Sequence, residues 1–151
     1  MRAINHALTG AVIGLSIDNP ALALPLAFLS HFVLDAIPHY GSSITGDATL
    51  RSKAFTAGLY IDAVACGLLV LLLFMVHPKQ WLQAAIAAFL AASPDFFSLG
   101  RYLAARRGKT YKPNLYARFA SNIQWFERPI GGYVEAVWFI AMSWILYRLI
   151  G

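Results

Sequence analysis

Charge is scarce in this sequence. Only 13% of its 151 residues are charged, against 59% that are hydrophobic. A soluble domain carries roughly 45–50% apolar and about 25% charged residues. So few charges cannot cover a water-facing surface. A soluble enzyme, a nucleic-acid-binding domain and a disordered chain are therefore disfavoured together. Cysteine is scarcer still. A single residue, Cys66, excludes an intrachain disulfide framework and a multi-cysteine zinc site. It stands in an apolar run and reads as a small core residue. Internal repeats and low-complexity tracts are missing as well. The net charge is +5, but in so apolar a chain basic residues mark cytoplasmic loops rather than a nucleic-acid partner.

What is present is long apolar runs. A spanning helix needs about 20 mostly apolar residues. Phe55–Val76, Trp81–Leu99 and Ile130–Ile150 meet that length. Two shorter stretches precede them, Asn5–Ile17 and Pro20–Ile37, separated by the turn Asp18-Asn19-Pro20, with Asn19 as helix cap. The expected fold is thus all-α. It is a polytopic membrane bundle of about five hydrophobic segments in one domain, residues 1–151. An alternative reads the start as a signal peptide, with Met1-Arg2, the apolar core Ala7–Ile17 and a cleavage site at Ala21-Leu22-Ala23.

Basic residues orient the bundle. With five crossings, the N-terminal side holds Arg2, Arg51, Lys53, Arg101, Arg106, Arg107, Lys109, Lys112, Arg118 and Arg128, and the other side only Lys79 and Arg148. That bias predicts a cytoplasmic N-terminus and an external C-terminus. Two long loops fall on the cytoplasmic side. Pro38–Ala54 reads as irregular. In Asn114–Glu127, Leu115, Phe119, Ile123 and Phe126 recur at helical spacing, which predicts an amphipathic helix lying in the interface. Trp125, Tyr111 and Tyr116 suit that depth.

Ionisable residues inside spans are costly and mark function. Here they are His6, His31, Asp35, Asp62, Asp95 and Glu135, with His39 just beyond the second segment. At about 1.5 Å per residue, all fall in the cytoplasmic half. His31, Asp35 and His39 are spaced by four and occupy about an 80° sector of one helix. Pro38 lets His39 swing away. Imidazoles with carboxylates and no thiolate suit zinc, manganese or iron. A catalytic zinc takes three such ligands and keeps one position open. The surplus carboxylates, Asp62 and Glu135, are candidates for a general base or an orienting partner. Each acid also has a structural reading, as a hydrogen-bond partner between helices, and Asp35 as a partner of Arg101. His77, Asp18 and Asp47 read as helix-end or turn residues.

Asn5-His6-Ala7-Leu8-Thr9-Gly10, Ser30-His31-Phe32-Val33-Leu34-Asp35 and Pro94-Asp95 carry a resemblance. The chain resembles the predicted membrane-bound metal-dependent hydrolases, a small inner-membrane group with a phospholipase C and P1-nuclease-like ligand pattern. The resemblance implies that His6, His31, Asp35 and Asp95 are metal ligands; His39 joins them by spacing. Many relatives also carry a His-Arg and a His-Ser pair, absent here, where Arg118 and Ser121 stand alone. The expected activity is hydrolysis of a phosphoester of a lipid or other amphiphile. An anionic head group would meet Arg101, Arg106 and Arg107. A metal or proton carrier, and a scaffold with a structural metal, are the alternatives; the apolar outer halves of the third and fifth spans favour the enzyme. The run Gln124–Pro129 is a further motif without an assigned role. Glu127 in it reads either as a site residue or as a partner of Arg128.

Overall fold

Inside a bilayer every backbone polar group must find its partner within the protein, and a helix achieves this along a single segment. The computed structural model is accordingly helical. It describes residues 1–40, 47–124 and 127–151, and Asp47 by its backbone alone. The helices are α1 (Ala3–Ser16), α2 (Pro20–Ala36), α3 (Asp47–Arg51), α4 (Lys53–Val76), α5 (Trp81–Ala92), α6 (Leu99–Arg106), α7 (Leu115–Ile123) and α8 (Gly131–Ile150), with a 3-10 segment, Ser93–Ser98, between α5 and α6. Among the described residues there is no strand, only an isolated parallel bridge between His39 and Glu127.

Local chemistry sets the boundaries. Asn19 accepts a hydrogen bond from the Ala21 N–H, and Pro20 opens α2. The helix stops at Ala36 because Pro38 disfavours helical backbone at Ile37. Ser52 accepts from the Phe55 N–H and starts α4. His77 ends it in the left-handed region, φ 53°, just before Pro78. Pro94 lacks an N–H and crowds the preceding turn, so α5 passes into the 3-10 segment there. That break carries Asp95.

Among the described residues, three stretches are long and apolar enough to cross a membrane: α4, the run Trp81–Arg106, and α8. Of the five hydrophobic segments expected, these three have the length of a span, and the first two, α1 and α2, are shorter apolar helices. At about 1.5 Å per residue, α1 is about 21 Å long and α2 about 26 Å, short of the roughly 30 Å of hydrocarbon. The turn at Asp18-Asn19 ends α1 early, and Gln80 donates to Asp18 from the loop before α5. A hairpin and a pair of full spans both return the chain to the side it left. The basic asymmetry across the later helices is therefore the same in either case.

The central helix is α1, one of the two apolar helices below spanning length. α1 lies against α2, α4, α5 and α8. Its face of Ala7, Gly10, Ala11 and Gly14 meets Ala84, Ala87, Ala88 and Ala91 of α5. Small residues let two backbones approach closely, which is how helices associate where lipid removes the hydrophobic drive. A Cβ on Gly14 would sit 2.7 Å from the Ala84 Cα. The carbonyls at the end of α1 have no helical partner. The Gln83 amide donates to two of them, Gly14 O at 3.0 Å and Ile17 O at 2.6 Å. Trp138 Nε1 donates to Thr9 Oγ1 at 2.9 Å and ties α8 to the same helix.

α7 is shorter than the amphipathic helix expected over 114–127. Asn114 caps it by accepting from the Ala117 N–H, and it ends at Ile123. Leu115 and Phe119 face outward. Phe126, part of the expected apolar face, and Trp125, expected at interfacial depth, lie outside the described residues, as does the side chain of Asp47.

Candidate metal centre

Three elements converge where α1 begins and α2 ends. α1 brings His6, α2 brings His31 and Asp35, and the 3-10 break brings Asp95. One ligand atom each from His6, His31 and Asp95 lies within 4.8 Å of the others. The imidazoles stack, with centroids 4.0 Å apart and planes 25° from parallel. Asp35 bridges the pair. Its Oδ1 is 3.2 Å from His6 Nε2 and its Oδ2 is 3.2 Å from His31 Nε2. Asp95 Oδ1 approaches His31 Nε2 at 3.9 Å. His6, His31 and Asp35 are buried, whereas the Asp95 side chain is 38% exposed.

The ring of His31 is oriented from behind. Its Nδ1 is 2.8 Å from the Ala91 carbonyl. A carbonyl only accepts, so Nδ1 carries the proton. In the neutral ring, Nε2 then presents a lone pair to two carboxylates. That assembly is repulsive unless positive charge sits among these atoms. His6 sharpens the point. It is 0% exposed, its Nδ1 has no hydrogen-bond partner, and its Nε2 meets the Asp35 carboxylate at 3.2 Å without the alignment of a hydrogen bond. Buried polar atoms are rarely left so. The Met1 ammonium donates to Asp35 Oδ1 at 2.6 Å and supplies one positive charge there.

Other candidates stand elsewhere. His39 is buried but turns from this group. Its Nδ1–H donates to Ile37 O at 2.9 Å, and its Nε2 faces Glu127 Oε1 at 3.7 Å. Pro38 breaks the helical register that aligned it with His31 and Asp35. Glu127 thus has His39 beside it, and the Arg128 N–H donates to the His39 carbonyl at 3.1 Å. Asp62 and Glu135 meet Arg2: the Arg2 Nε–H donates to Asp62 Oδ1 at 3.1 Å, and its backbone N–H to Glu135 Oε1 at 3.1 Å. Both acids hold the start of α1, four residues before His6. His77 lies beside Phe74 and Trp81 at the far end of α4.

No family model, curated protein or solved structure matches this chain. The resemblance to the membrane hydrolases rests on the motifs quoted above, and the chemistry rests on the geometry. The donor set fits a divalent ion. It holds two imidazoles and two carboxylates, with an orienting carbonyl behind one ring, the usual support of a metal-bound histidine.

Sequence reading passed over three contributors. Arg2 entered only as a basic charge. Gly10 and Gly14 form a Gly-x-x-x-Gly pair, a readable packing signal. Tyr116, considered only as an interfacial aromatic, donates to the Pro94 carbonyl at 3.1 Å, next to Asp95. Burial raises the pKa of the Tyr116 phenol, and the Asp95 and Asp35 carboxylates add to the shift. It therefore stays a donor at neutral pH.

Proposed function

We propose that this chain is an integral membrane metal-dependent hydrolase. Its substrate would be a phosphoester of a lipid or other amphiphile, cleaved at the cytoplasmic face of the inner membrane. The observation that carries the reading is the histidine pair: His6, fully buried without hydrogen bonds, stacks on His31, whose proton is fixed on the far nitrogen. In this proposal His6, His31, Asp95 and Asp35 hold the ion, zinc foremost, with manganese or iron as alternatives. Asp35 lies beside both rings and balances the ion's charge. A bound divalent ion supplies Lewis acidity and makes water nucleophilic near neutral pH. Asp95, the most exposed member, marks the side from which a substrate enters. Asp62 and Glu135 anchor Arg2, and either can take a proton during turnover only by loosening that anchor.

An amphiphile also suits the surroundings. An apolar groove of about 370 Å³ runs over α1 between α2 and α8, lined by Thr9, Ile13, Leu26, Val33, Leu34 and Trp138 among others. It continues along α2 to Ile37, two residues beyond Asp35. An alkyl chain placed there has its head group near the end of α2.

The test is metal analysis of the detergent-purified protein, followed by assays on lipid, nucleotide and sugar phosphates. A stoichiometric divalent ion and a hydrolysis that stops on chelation are expected. Bound metal without hydrolysis of any of the three classes overturns the enzyme and favours a carrier or scaffold. Orientation has its own test. A reporter fused after Gly151 should read as external and one before Met1 as cytoplasmic. A cytoplasmic C-terminal reporter overturns the assigned sidedness.

A further inference from the structure

The run after α7 has a role that spacing does not reveal. Gln124 closes α7, its N–H bonded to the Ala120 carbonyl at 3.1 Å. Its side-chain amide donates to Asp35 Oδ2 at 3.0 Å. This is the oxygen that faces His31, while the other oxygen faces His6. The torsion that turns an aspartate carboxylate is soft and nearly two-fold. A fixed donor on one oxygen decides which oxygen meets which ring. At the other end of α7, the Tyr116 hydroxyl donates to the carbonyl of Pro94. That peptide unit directly precedes Asp95 and belongs to the 3-10 break.

One nine-residue helix therefore touches the supports of two acids from different elements. It is itself held in place. Phe119 packs on Phe32 of α2, with ring centroids 5.7 Å apart. Beyond the helix, Glu127 and Arg128 run alongside His39, bridged to it through the backbone. The chemistry of Gln124 also fits. An amide orients a carboxylate without neutralising it, whereas a Lys or Arg would compete with a cation for the same charge.

We propose that α7 is a clamp on the metal centre, with Gln124 positioning Asp35 and Tyr116 positioning the turn that carries Asp95. The inference rests on the metal reading above, though not on the hydrolase reading. Neither residue need touch the ion. Loss of such an outer partner typically costs about 10–100-fold in metal affinity.

The test uses the full-length protein in detergent, with zinc for affinity and cobalt(II) for its absorption spectrum. Gln124→Met keeps the length of the side chain and removes the donor. It should weaken zinc binding by about 10–100-fold and shift the cobalt spectrum, while the metal-free protein melts as the wild type does. Tyr116→Phe should weaken binding in the same direction, and carries the test alone if Gln124→Met does not fold. Wild-type affinity and an unshifted spectrum in the folded variants overturn the clamp. Absence of zinc binding by the wild-type protein overturns the metal reading itself, and the clamp with it.

Discussion

Replacing His31 by alanine should strip the divalent ion from the purified protein. The substitution removes a ring nitrogen that lies between Asp35 and Asp95 and the stacking surface for His6. The loss should exceed the roughly 10–100-fold typical of an outer partner. His6→Ala should behave alike, since His6 comes from a different helix and no other imidazole replaces it. His39→Ala should keep the ion, because that ring faces Glu127. His77→Ala should keep it too, from the far end of α4. Metal analysis after dialysis reads all four. Full occupancy in both His6→Ala and His31→Ala would place any bound ion elsewhere.

The second large effect is expected from Gly10→Leu. A Cβ at Gly10 would stand 2.7 Å from the Ala91 Cβ and collide with the Ala87 carbonyl on the facing helix. Backbone cannot yield as a side-chain tip does. Overpacking of this kind costs about 1–3 kcal/mol, and more where no rotamer escapes. At roughly 2–4 °C per kcal/mol for a chain of this size, the melting point should fall by several degrees. The damage should reach the metal centre, because the His31 ring is oriented by the carbonyl of the same Ala91. Zinc affinity should therefore drop along with stability. Gly67→Ala is the control. Nothing lies within 4 Å of a Cβ there, so the variant should melt no lower than wild type. Equal melting points for Gly10→Leu and wild type would mean that α1 and α5 do not meet as described.

Several features of the fold and site were legible in the sequence because their cause is local. His31 and Asp35 share a helix face by spacing alone, and Asn19-Pro20 announces the start of α2. Pro38 beside His39 warns that the register ends there. Other features depend on contacts far apart in sequence. Nothing local tells that Arg2 meets both Asp62 and Glu135, 60 and 133 residues away. Their places near the starts of α4 and α8 were readable; their partner was not. Segment length gave α1 as the weakest element, whereas burial makes it the hub. Length measures how far a helix reaches across a bilayer, and small residues measure how closely it can be approached. The Pro94-Asp95 pair showed where a helix would be disturbed. That the disturbance becomes a 3-10 segment beneath the Tyr116 hydroxyl follows only from tertiary contact.

The position of α1 also sets an order of events during synthesis. Of the described helices it leaves the ribosome first, yet the surface it is shaped to fit belongs to α5, some seventy residues later. At about 5–20 residues per second, several seconds pass between the two. Throughout that interval the nascent hairpin holds His6, His31 and Asp35 without Ala91 behind them. A ribosome stalled before Trp81 would leave an apolar hairpin with an unshielded polar face, the kind of intermediate that insertion chaperones and membrane proteases act upon.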